Sequence, residues 1–96
     1  MNREDILTIL KVNRPELGAH YKVRELALFG SFARADQSST SDVDVLVDFA
    51  PDASFFDLVR LALYLEEKLG RSADVIPQDT LRAEIRDTVM RERVLV

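Results

Sequence analysis

Asp42 and Asp44 stand two residues apart in the run Ser41-Asp42-Val43-Asp44-Val45-Leu46-Val47, and Asp74 follows in Ser72-Ala73-Asp74-Val75-Ile76. Residues two apart in a strand leave the same face, with their backbones roughly 6 to 7 Å apart, so both carboxylates can converge on one ion. Asp74 joins them if its strand lies alongside. Like charges about 4 Å apart repel by on the order of 4 kcal/mol at an effective dielectric of about 20, so the cluster calls for a cation or a raised pKa. With no cysteine in the chain and its single histidine far from these runs, the donors are all oxygen, which suits Mg²⁺, with Mn²⁺ possible, over Zn²⁺.

Gly30-Ser31 supplies the matching anion site. Glycine lets a phosphate approach the backbone after a strand, and the serine hydroxyl with free amides at the next turn can bind phosphate oxygens. Magnesium keeps waters and shares its ligands with phosphates, so carboxylates beside an anion site form a coherent set. Each part also has a plainer reading. Gly-Ser can be only a turn and helix cap, and Asp-x-Asp can be the wet face of an edge strand. Their combination at this spacing, with Asp74 behind it, favours the chemical reading.

The elements that must position these residues follow from periodicity. Ile6, Leu7, Ile9 and Leu10 predict a helix over residues 4–12, interrupted at Asn13, Arg14 and Pro15, with a short second segment reaching His20. Val23 to Phe29 reads as a strand, Leu26 and Leu28 on one face and Ala27 and Phe29 on the other. Ser31 starts a helical turn, and the polar run 36–41 is a loop. Val43, Val45 and Val47 alternate with Asp42, Asp44, Leu46 and Asp48 in the clearest strand signal, valines toward the core and aspartates opposite.

Ser54 is a plausible cap for the longest expected helix, Phe55 to Leu69. Its apolar stripe is Phe55, Leu58, Ala62, Leu65 and Leu69, widened by Val59, Leu61, Leu63 and Tyr64 beyond what one sheet face needs, which points to contact with another subunit through Leu61 and Leu63. Gly70 stops it, and Ser72 to Ile76 is a third strand, ended by Pro77. Asp79 or Thr80 caps a last helix through Leu81, Ile85 and Val89. The tail from Arg91 fits either an edge strand or more helix. Three strands with intervening helices make a small α/β layer, helices on one side and acids on the other.

The chain has 96 residues, 47 % hydrophobic and 31 % charged, the composition of a folded domain burying roughly 60 to 65 % of its unfolded surface. A single domain over 1–96 is expected. Its apolar runs fall far short of the ~20 residues that span a bilayer, and no signal-like stretch opens the chain, so a cytoplasmic location is expected. Net charge is −4, from 17 acidic and 13 basic residues, which argues against stable nucleic-acid binding.

Gly30-Ser31-Phe32-Ala33-Arg34, followed by the Ser41-Asp42-Val43-Asp44 strand, resembles the signature of the nucleotidyltransferase superfamily with the DNA polymerase beta fold. The chain is similar in particular to the minimal nucleotidyltransferases, the antitoxin halves of HEPN/MNT toxin–antitoxin pairs, over essentially its whole length. The resemblance implies an α/β (α+β), palm-like fold: a short mixed sheet with helices on one face. It implies that Asp42, Asp44 and Asp74 are catalytic and hold two Mg²⁺ ions, with Asp74 helping to activate the acceptor hydroxyl. Gly30 and Ser31 would grip the β and γ phosphates of ATP in an in-line displacement of pyrophosphate.

Arg34 is either near the triphosphate or a surface arginine paired with Asp36 or Asp48. Ser41 counts among the nucleotide-binding residues through orienting the Asp42 loop, not as a nucleophile. Asp48 ranks below the triad, His20 reads as a surface or structural residue, and Tyr21 and Tyr64 as packing residues. One departure is visible: the family commonly has glycine after the Ala-Arg pair, where this chain has Ala35. If that position needs positive φ, alanine is strained by roughly 1 kcal/mol or somewhat more.

The chain ends about 20 residues after Asp74, too few for a separate acceptor-holding domain. The resemblance therefore implies an acceptor on another protein: a tyrosine of a cognate HEPN ribonuclease toxin, held in a hetero-oligomer and modified with AMP. The alternative is a non-catalytic antitoxin or binding module that neutralises its partner by surface contact, for which the wide apolar face of residues 55–69 and Ala35 speak. Transfer to a small molecule or an RNA end is disfavoured for want of more chain or a basic groove.

Overall fold

Alternating valines and a matched set of amphipathic helices give a four-stranded mixed sheet. The computed structural model describes residues 1–96, in the order α1 (Arg3–His20), β1 (Val23–Phe29), α2 (Gly30–Arg34), β2 (Val43–Phe49), α3 (Phe55–Leu69), β3 (Ala73–Pro77), a 3₁₀ turn (Gln78–Thr80), α4 (Ala83–Glu92) and β4 (Val94–Leu95). The strand order is β3-β2-β1-β4. β1 runs antiparallel to β2 and β4, whereas β2 and β3 are parallel and joined through α3.

The core lies between one face of this sheet and helices α1 and α3. Val43, Val45 and Val47 of β2 and Leu26 and Leu28 of β1 pack there against Ile6, Leu7, Leu10 and Leu17 of α1 and Leu61, Leu65 and Leu69 of α3. A register shift between Val23 and Glu25 turns Val23 onto that same face, which plain alternation would not do. The opposite face carries the acids and a small cluster of Ala27, Leu46 and Leu81, with Val89 and Met90 of α4 against it.

Several sequence expectations change. α1 is one continuous helix with Pro15 inside it, and at 18 residues it exceeds the 15 of α3. Pro15 forfeits one helical hydrogen bond. Burial of Leu17 on the same core face as Ile6 and Leu10 offsets that loss, as does Asn13, whose Oδ1 accepts a hydrogen bond from the Tyr64 hydroxyl at 2.7 Å. β2 begins at Val43, so Asp42 lies just before the strand and not in it.

The last helix starts later than its apolar periodicity suggests. Thr80 donates its hydroxyl to the Pro77 carbonyl, closing the 3₁₀ turn that also contains Asp79, and α4 follows from Ala83 with no side-chain cap. Leu81 is buried outside the helix. The tail then satisfies both of its readings: helix through Glu92, then an edge strand, β4, against β1.

α3 shows which apolar residues are core. Ser54 and Asp57 form a capping box at its start, and Gly70 closes it at φ 68°. Leu61 is fully buried, while Phe55, Phe56 and Leu63 are 72 %, 77 % and 62 % exposed. Phe55 thus leaves the expected core stripe, and Leu61 is not available for the subunit contact expected of it. We expect Leu61→Ala to cost about 2–4 kcal/mol in denaturant unfolding, and Leu63→Ala to stay within about 0.5 kcal/mol.

Candidate functional site

Sheet register collects the separate sequence signals at one end of the molecule. Phe29, the last residue of β1, pairs with Asp44, and Asp44 pairs in turn with Asp74 on β3. Gly30 follows Phe29 and so lies against the Asp44 side chain. A Cβ on Gly30 would overlap Asp44 Oδ2 and stand 3.0 Å from its Cγ, and the backbone there has φ +73°. A side chain there would have to displace the Asp44 carboxylate and adopt a strained φ, and both favour glycine.

Asp42 is held at the mouth of the same cluster, because the next amide, Val43 N, donates to Ser72 O at 2.9 Å and zips β2 to the approach of β3. Ser41 accepts a hydrogen bond from the Ser38 amide on its Oγ at 2.9 Å, which ties the loop entering Asp42. Arg71 ties the same loop by donating to Ser39 O at 3.0 Å, with its guanidinium over the Phe32 ring. These contacts belong to loop-ordering residues, as expected for Ser41.

The electrostatics are those of an uncompensated acidic cluster. Ion pairs in the chain run through Glu4, Glu16, Asp36, Asp48, Asp52, Asp57 and Glu92, and leave the three site aspartates unpaired. Burial holds the Asp44 carboxyl above its ordinary pKa, the charges of Asp74 and Asp42 push it further up, and Arg34 partly opposes them. The three carboxylates do not close into a three-ligand cage in this arrangement. Their donor set is nonetheless oxygen alone, unpaired and of one sign at the heads of neighbouring strands, which fits a hard divalent ion.

Arg34 and Ala35 follow Ser31 in the next turn. Arg34 Nε donates to Asp36 Oδ2 at 3.1 Å, and its Nη1 stands 3.5 Å from Glu92 Oε2, so Asp36 and not Asp48 is its partner. Asp48 pairs with Arg24 at 3.1 Å at the far end of β2, outside the cluster. Ala35 has φ 60° and ψ 33°, so the position that commonly holds glycine does need the left-handed conformation. Arg3 braces this turn by donating to Ala33 O at 3.0 Å. His20 sits exposed beside Glu16, and Tyr21 and Tyr64 pack on each other with centroids 4.9 Å apart, all away from the acids. Sequence reasoning missed Glu92, because no local spacing links it to Arg34.

A model of the nucleotidyltransferase domain family matches residues 6–96. A Thermococcus cleftensis protein named protein adenylyltransferase MntA is 40 % identical over 93 residues, covering 97 % of this chain and 94 % of its own. A solved structure assigned as a minimal nucleotidyltransferase superposes with TM-score 0.86 at 30 % identity, over 98 % of this chain and 95 % of that one. The complex of a tri-AMPylated Shewanella oneidensis HEPN toxin with an MNT antitoxin shares the fold, with TM-score 0.59 and 21 % identity over 98 % of this chain and 67 % of that one.

The two left-handed positions give opposite expectations. Gly30→Ala should destabilise by roughly 1–3 kcal/mol through the overlap with Asp44 and the strained φ, whereas Ala35→Gly should stabilise by up to about 1 kcal/mol. Both are read from chemical denaturation. Asp44 gives a pH-dependent expectation. Its folded pKa lies above the unfolded value, so the folded state carries no penalty while the group is protonated and acquires one as pH rises through the raised pKa. In the presence of chelator, Asp44→Asn should therefore raise the unfolding temperature at pH 7, and the gain should vanish below about pH 4. Thermal melts across that range check the sign.

Proposed function

The chain belongs to the nucleotidyltransferase domain family, and from that membership we propose that it transfers AMP from ATP to a tyrosine hydroxyl of a HEPN-domain toxin and so acts as an antitoxin. The observation that carries the reading is the register of Phe29, Asp44 and Asp74 on three adjacent strands, which brings Gly30, the residue after Phe29, against the Asp44 carboxylate beside Asp74. The 40 % identity to a protein adenylyltransferase over nearly all of both chains supports AMP as the group and protein as the acceptor.

In this reading Gly30 leaves room for the triphosphate beside Asp44, and the Ser31 hydroxyl hydrogen-bonds a phosphate oxygen. Asp42, Asp44 and Asp74 would hold the Mg²⁺ ions, for which Mn²⁺ could substitute, and divalent charge there would neutralise the triphosphate and stabilise the entering and leaving oxygens. The phenolic oxygen attacks the α phosphorus, the bond to the bridging oxygen breaks, and pyrophosphate departs. Asp74, on the outer strand of the three, helps activate the phenol by taking its proton. Ser41 contributes by holding the loop that enters the site, and Arg34 by its positive charge beside the triphosphate.

Neutralisation by contact alone is the second reading, favoured by the exposed Phe55, Phe56, Val59 and Leu63 on α3. The chain mixed with its HEPN partner and α-labelled ATP separates the two. We expect label on a partner tyrosine, and transfer reduced by two orders of magnitude or more in Asp42→Asn or Asp44→Asn, several kcal/mol of transition-state stabilisation. An unlabelled partner that is still neutralised by the doubly substituted chain decides for contact.

A further inference from the structure

The end of α4 lies over the turn that follows Gly30. β4, directly behind α4, pairs Leu95 with Ala27 and Val94 with Leu28 on β1, and Val96 N donates to Leu26 O at 2.9 Å. The strand that carries Gly30 therefore also anchors the C-terminal segment, and this anchoring delivers Glu92 to Arg34. There the guanidinium is shared between two carboxylates, Asp36 Oδ2 at 3.1 Å and Glu92 Oε2 at 3.5 Å. Arg34 ends the five-residue helix that Gly30 opens, so its charge stands about one helical turn from the site while its Nε and Nη1 are engaged by the two carboxylates.

We propose that Glu92 is a positioning residue for nucleotide binding: together with Asp36 it holds Arg34 in a carboxylate latch that the triphosphate must displace. The inference rests on the nucleotidyltransferase reading of the same site. A guanidinium offers the same planar fork to a carboxylate and to a phosphate, so the two compete directly for it. In the nucleotide-free chain the carboxylates win because they are tethered. Once a triphosphate is seated against Gly30 and Ser31, it brings more charge per acceptor group to the same fork, and Arg34 changes partner. Glu92 belongs to α4 and β4, so any movement of that segment changes how firmly Arg34 is held.

Calorimetric titration of the full chain with ATP and Mg²⁺ tests this in four forms: the natural chain, Glu92→Gln, Arg34→Gln and the double variant. Glu92→Gln should tighten binding about threefold, the scale of one exposed ion pair, and a merely structural role cannot produce a gain. In the Arg34→Gln background the same substitution should change affinity by less than about 1.5-fold, because the effect runs through the arginine. Asp36→Asn should tighten binding in the same sense, and serves if Glu92→Gln fails to fold. Unchanged affinity in both carboxylate variants overturns the latch. So does an equal gain with and without Arg34, which marks plain repulsion by Glu92. A natural chain that binds no MgATP overturns the transferase reading itself.

Discussion

Parallel pairing of β2 with β3 sets Asp44 beside Asp74, and the rest of the molecule is organised around keeping that unfavourable neighbour relation in place. Burial and the adjacent carboxylates all penalise the charged form of Asp44. The strand cannot relieve this by sliding. Its other face carries Val43, Val45 and Val47, each fully buried under α1 and α3, and a one-residue slip would turn all three out of the core. Packing on one face thus fixes electrostatic strain on the other.

Two left-handed residues frame the short helix α2 between β1 and β2. Gly30 brings the backbone against Asp44, and Ala35 turns the chain away four residues after Ser31. The first meets a need for space that only glycine fills. The second is strained, and two long-range contacts hold it, Arg3 on the Ala33 carbonyl and Arg34 on Glu92, with the local Arg34–Asp36 pair beside them. A site on such a turn is kept rigid by its surroundings, and the same contacts make it responsive to the C-terminal segment.

The acidic face and the outward side of α3 lie on opposite sides of the sheet. α3 buries Leu61, Leu65 and Leu69 against the valines and turns Phe55, Phe56 and Leu63 away from them. The acids and the exposed Leu63 side of α3 therefore lie on opposite faces of the sheet, while Phe55 reaches its edge and lines a cavity with Asp48 and Asp79.

Much of this was legible in the chain itself. Valine alternation located β2, the switch to helical spacing located α3, and Gly-Ser with Asp-x-Asp marked the chemistry, because such periodicities and residue types act locally. Glycine at 30 and the special demand at 35 were also readable, the latter as a condition that φ at Ala35 fulfils. Tertiary structure decided the remainder. Burial of Leu17 carried α1 through Pro15, and pairing with β1 drew the tail into β4. Leu61 went to the core instead of the surface because packing against the β2 valines and α1, not helix periodicity alone, selects which stripe of a broadly apolar helix is covered. The juxtaposition of Asp44 with Asp74, and of Arg34 with Glu92, likewise lay beyond the sequence, since strand register and order join residues that no local pattern relates.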